Sequence, residues 1–110
     1  MHLHDFPAGT TGWSQIPHST HPGESGTASV RSRQLGDIQL RLVDYSSNYI
    51  SDHWCRKGHI VFVVTGQVTI EHQHGPTHAL TTGMTYHVPD HEPSPHRLLS
   101  QTGATLFIVD

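Results

Sequence analysis

From Ala28 to the last residue, apolar positions fall in short segments that alternate with polar ones: Ala28–Leu35, Ile38–Tyr45, Tyr49–Cys55, Ile60–Thr65, Gln67–His72, His78–Leu80, Met84–Val88, Arg97–Leu99 and Ala104–Val109. A period of two sets successive side chains on opposite faces of an extended chain, so each segment predicts a strand. Breaks such as Gly36-Asp37, Lys57-Gly58, Thr65-Gly66, Thr82-Gly83 and Thr102-Gly103 separate them, at roughly 8 to 12 residue spacing. No window keeps apolar residues at i, i+3, i+4 and i+7 for three helical turns, and β-branched residues dominate the apolar set. The pattern predicts an all-β sandwich or barrel. Small β domains protect their sheet edges by closing or by folding into a double-sheet jelly roll, which leaves an interior able to hold a small ligand.

Residues 1–27 break this rhythm. They are rich in Gly, Pro, Ser and Thr with isolated apolar anchors at Phe6, Trp13 and Ile16, and predict an irregular arm lying across the barrel of residues 28–110 or across a partner subunit. A chain of 110 residues supports one core and no second domain. Charged residues are 14% of the chain and its six Lys and Arg are scattered, which speaks against a nucleic-acid surface. The longest apolar run, Ile60 to Val64, is far short of a membrane span, and Met1 to Phe6 lacks an apolar signal core. These features lead us to expect a soluble, cytoplasmic protein with no membrane partner. The single cysteine, Cys55, leaves no internal disulfide.

Twelve histidines change the picture, because imidazole is the commonest side-chain metal ligand. In Asp52-His53-Trp54-Cys55-Arg56-Lys57-Gly58-His59, a strand would aim His53 and Cys55 at one face and Trp54 at the other. His59, after the Lys57-Gly58 turn, would join them from the same end of the barrel.

Those positions resemble the first motif of the cupin family, G-x5-H-x-H-x3-4-E-x6-G. Counting back from Gly66, His59 takes the Glu position, Cys55 the second His and His53 the first, while Ser47 replaces the leading Gly. In the second motif, G-x5-P-x-G-x2-H-x3-N, Gly83 and Pro89 match, the imidazole is delayed to His96, and Ser100 stands where Asn is usual. The order Asp52-His53-Trp54-Cys55 is similar to the Asp-His-Cys-Trp cluster of certain small cupins, and the likeness covers roughly Ile38 to Asp110. The resemblance implies a cupin-type jelly-roll barrel with one divalent first-row metal ion on His53, Cys55, His59 and His96, and a homodimer. The family's activities include dioxygenases, isomerases and plain binding proteins, among which fold does not select.

A nitrogen and sulfur donor set without a hard carboxylate favours zinc, iron, nickel or copper over manganese or magnesium. Four filled positions would make a closed structural site, in a non-enzymatic protein that binds or senses a ligand. Three histidines with Cys55 apart would leave a position for a small polar molecule and metal-dependent chemistry. Cys55 is open between ligand and small buried hydrophobe, and Asp52 between an acid that orients an imidazole and a strand-end acid. His91 competes with His96. His72 and His74 are expected at the surface or a pocket rim, the arm histidines in solvent, His87 in the cavity or facing out, and Trp54, Tyr45, Tyr49, Phe62 and Phe107 in packing. Of the arginines near the expected mouth, Arg41, Arg56 and Arg97, solvated surface is the first expectation and a carboxylate clamp the second.

Overall fold

The computed structural model describes residues 3–110. A single 3₁₀ turn, Trp13–Gln15, precedes nine strands: β1 (Ser19–Pro22), β2 (Thr27–Leu35), β3 (Ile38–Tyr45), β4 (Tyr49–Ile50), β5 (His59–His72), β6 (Thr77–Thr81), β7 (Thr85–Val88), β8 (His96–Ser100) and β9 (Ala104–Val109). They form one curled antiparallel sheet in the order β1-β2-β3-β9-β5-β8-β4, with β6 and β7 also paired to β5.

β5 organises the rest. Its first half pairs with β7 and β9, and its second half with β6 and β8. The Thr65-Gly66 break expected to end a strand lies inside this one: the ladder to β9 slips between Val63 and Thr65, and Gly66 takes φ +90°. Glycine at a positive φ lets a strand bend through a bulge without ending, so β5 passes from one layer of the curled sheet to the other.

Alternation then fills the interior. Val61, Val63, Val68 and Ile70 of β5 meet Leu106 and Ile108 of β9 and Val43 of β3 in one core, with Val63 and Leu106 wholly excluded from solvent. Phe62, expected in packing, is on the outward parity and 39% exposed. Phe107 sits directly opposite it in the β5–β9 ladder. Trp13 packs edge-on against Phe107 at 6.3 Å, and Arg31 Nε donates to the Ile16 carbonyl at 3.0 Å. The N-terminal segment is thereby tied to the outer face, and its residues 19–22, expected to be irregular, extend the sheet as β1 against β2.

A Cβ at Gly66 would collide with the Gly103 carbonyl oxygen and lie 2.7 Å from Ala104 Cα, whereas Gly83, at the same φ, has nothing within 4 Å. Gly66→Ala should therefore cost at least about 2 kcal/mol and Gly83→Ala about 1 kcal/mol in urea unfolding. Equal losses would show that the close approach at Gly66 is not what constrains it.

Candidate metal centre

The segment after β4 decides which side chains face the interior. Tyr49 pairs with Ser100 and Ile50 with Leu99. Continued without interruption, that register would set His53 opposite His96. The chain instead leaves the ladder after Ser51, whose hydroxyl accepts from Leu98 N–H at 3.0 Å, and returns at Cys55. Cys55 N–H donates to the His96 carbonyl at 2.7 Å and His96 N–H to the Cys55 carbonyl at 2.9 Å. Two extra residues are looped out, and Cys55 occupies the place opposite His96. Directly opposed residues of an antiparallel pair project to the same side.

Cys55, His59 and His96 accordingly come together, with one donor atom from each within 4.8 Å of the others. His53 does not join them. Its imidazole is 73% exposed at the mouth of the cavity and donates from Nδ1 to Asp52 Oδ1 at 2.7 Å. The expected strand Tyr49–Cys55 is limited to Tyr49–Ile50 plus the bridge at Cys55, so the two-residue spacing no longer places His53 and Cys55 on one face. Asp52 is likewise turned to His53, away from the cluster, and that hydrogen bond is the main reason its carboxyl lies below the usual range.

Asp110, which spacing did not single out, sits beneath the cluster with 2% of its side chain exposed. Its Oδ2 accepts from His59 Nδ1 at 3.0 Å and from Arg41 Nη2 at 2.8 Å, with Lys57 Nζ at 3.9 Å. Because a carboxylate only accepts, the His59 proton is on Nδ1 and the Nε2 lone pair faces Cys55 Sγ, 3.4 Å away. The Lys57 backbone N–H also points at Sγ, at 3.4 Å, where it would stabilise a thiolate. Burial holds His59 below the ordinary histidine range despite the opposing pull of Asp110. Burial, with His59 and His72 adding to it, takes His96 down to about 4. Neutral imidazole is the form that ligates a metal.

Three donors bound to one ion lie about 3.5 Å apart, given bonds of about 2.0 to 2.3 Å, so the observed spread needs only a small contraction. His96 Nδ1 is buried with no hydrogen-bond partner among the described residues, a cost that coordination through this nitrogen would offset. The donor set thus fits a borderline-soft first-row ion. The cluster opens on a cavity of about 410 Å³ whose walls include Val43, Val61, Ile70, Leu98 and Ile108.

His72 is opposite His96 on the other side, in the β5–β8 ladder. Its Nδ1–H donates to the Ser94 carbonyl at 3.2 Å, and its Nε2 accepts the Tyr86 hydroxyl at 2.6 Å. Its ring lies between those of His78, edge-on at 5.6 Å, and His96, tilted at 5.8 Å. His74 and His87 are exposed, and His91 is an exposed loop residue with φ +61°. Trp54 lies under the Arg97 guanidinium at 4.6 Å.

No family model matches the sequence, and no curated protein matches it. Solved structures do. Ectoine synthase from P. lautus superposes with a TM-score of 0.74 at 18% identity over 93% of this chain and 76% of that one. A sugar phosphate isomerase of the cupin superfamily from Silicibacter pomeroyi gives 0.71 at 18% over 92% and 74%. An RmlC-like cupin from Shewanella frigidimarina gives 0.68 at 18% over 94% and 89%. Likeness at such identities establishes architecture: this chain has the cupin fold, a single-domain jelly-roll β-barrel.

Two measurements follow from the site. In metal-free protein, the unfolded chain takes up a proton near pH 6.5 that His96 accepts only near pH 4, so folding stability should fall as pH drops through that window. His96→Gln should reduce this dependence in urea titrations run at several pH values, leaving the share of His59, which burial also lowers. Asp110→Asn should weaken metal binding by about 10- to 100-fold in competition with a chromophoric chelator. Unchanged affinity would deny Asp110 its orienting role.

Proposed function

We propose that this protein is a metal-dependent cupin in which Cys55, His59 and His96 hold one divalent first-row ion, zinc, iron, nickel or copper, whose remaining coordination position receives a small polar molecule from the cavity. The observation that carries the reading is the Cys55–His96 pairing, which with His59 gathers three donors against a cavity and turns His53 away from it. Three protein donors and one exchangeable position are the pattern of working metal sites, whereas structural sites fill all four. Bound there, the ion would supply Lewis acidity and a template for orienting the ligand.

The chain's own residues have separate tasks in this reading. Asp110 fixes the His59 tautomer, and the Lys57 N–H supports a Cys55 thiolate. Tyr86 borders the same cavity with its hydroxyl proton directed at His72, and burial pushes the phenol up to about 12, so it stays protonated. The walls exclude bulk water from one side of the ligand. A homodimer belongs to the same proposal: Ile60, Phe62 and Val64 leave an apolar stripe, 39 to 47% exposed, on the outer face of β5 that a second copy of this chain would cover.

Untagged protein purified without nickel or chelators should contain one metal per chain. Cys55→Ser, His59→Ala and His96→Ala should lose it, while His53→Ala should retain it. The cobalt-substituted protein should change its visible spectrum on addition of azide. An unchanged spectrum, with a domain that melts when Cys55→Ser releases the ion, would replace the open site by a closed structural one.

A further inference from the structure

We infer that the cavity takes a small carboxylic acid, with its carboxylate on Arg41 and a second oxygen directed to the ion of the proposed centre. The inference rests on the metal reading above and adds the chemical class of the ligand.

Arg41 and Arg97 are the two arginines among the cavity's lining residues, and their states differ. Arg97 is held by more partners: Nε donates to Glu71 at 2.8 Å, Nη1 lies 3.7 Å from Glu24, and the guanidinium covers Trp54. Two acids and an aromatic face leave it little to offer a ligand. Arg41 has only a share in one acid. Its Nη2 meets Asp110 Oδ2, the oxygen that also accepts from His59 and neighbours Lys57. Its Nε is buried and has no partner among the described residues. A buried donor on a full charge without an acceptor costs free energy that an anion can recover.

The charge count agrees. Asp110, whose Oδ1 is also buried without a partner among the described residues, offsets Arg41, while Lys57 is 59% exposed and outside the lining, and a Cys55 thiolate would offset only part of a bound divalent ion's charge. The one carboxylate among the lining residues, Asp52, is at the solvent edge and occupied by His53. This end of the cavity therefore carries a surplus of positive charge, and the rest of its wall is largely aliphatic. An anionic head with a short carbon body suits both, and about 410 Å³ falls within the range of small-molecule sites.

Geometry supplies the second contact. Arg41 shares an oxygen of Asp110 with the Nδ1 edge of His59 and lines the same cavity as Cys55, His59 and His96, so a carboxylate on the guanidinium would enter the space that the metal ligands face. An acid carrying a hydroxyl or keto oxygen near its carboxylate can reach both. The planar guanidinium, unlike an ammonium, can hold the carboxylate in a fixed orientation while doing so.

Isothermal titration of zinc-loaded full-length protein with pyruvate, lactate, malonate, succinate and citrate, and with the neutral isostere lactamide, tests this. At least one acid should bind. If lactate is among the binders, lactamide should bind at least about tenfold more weakly, and Arg41→Gln should lose at least about tenfold for every binding acid. Arg41→Lys should recover only part of the loss. Metal content is measured on each sample in parallel. Silence from all five acids with zinc retained overturns the carboxylate inference and leaves the metal reading standing. So does equal binding of lactate and lactamide, or unaltered binding by a zinc-replete Arg41→Gln. Wild type that cannot retain zinc overturns both. Should Arg41→Gln fail to fold, the Arg41→Lys series and the acid-to-amide ratio on wild type still decide the matter.

Discussion

Two backbone hydrogen bonds between Cys55 and His96 hold the irregular segment after β4 against β8, and the whole site depends on where that contact falls. It sets a thiol beside an imidazole on the cavity face, and His59, four residues on at the start of β5, completes the group. The contact is tolerated because Ser51 replaces a missing ladder partner with its hydroxyl. A strand without this bulge would present His53 where Cys55 stands, giving a harder donor set with a different metal preference. The bulge is thus a chemical choice made by the backbone.

Asp110 plays the corresponding part for charge. A single carboxylate oxygen accepts from an imidazole and a guanidinium, with an ammonium nearby. Such sharing fixes the His59 ring without neutralising everything around it. In the proposed reading it links the metal donors to Arg41, so that selection and ligation would be properties of one network. Arg97, paired with Glu71 and Glu24 and covering Trp54, contrasts with Arg41 in the same cavity.

On the far side of His96, the chain of rings through His72 to Tyr86 and His78 lies against a second cavity that includes His74 and Glu92. His72 is oriented by Ser94 so that it receives the Tyr86 hydroxyl. His72 therefore serves as hydrogen-bonded packing and His78 as a ring contact beside it, which accounts for part of the histidine abundance.

Much of the fold was legible in the sequence because strand alternation and turn glycines are local properties. The segments around β2, β3 and β9 coincide closely with their apolar alternation, and the absence of a helical period left only an all-β answer. Gly66 was legible as a special position but not as a bend, since a glycine at positive φ ends a strand or bulges it according to which strands flank it. His59, His96 and Cys55 stood out as residues able to ligate. Their grouping without His53 did not, because spacing assumes a regular strand and the register of β4 on β8 is settled by pairing across nearly fifty residues of chain. Asp110 carried no signal: fifty-one residues separate it from His59, and nothing local marks a carboxylate whose partners arrive from β3 and β5. By itself the sequence determined which strands could form and which side chains could bind a metal. The tertiary structure decided which of them meet, because cross-strand register and the sharing of a buried charge are contacts between distant parts of the chain.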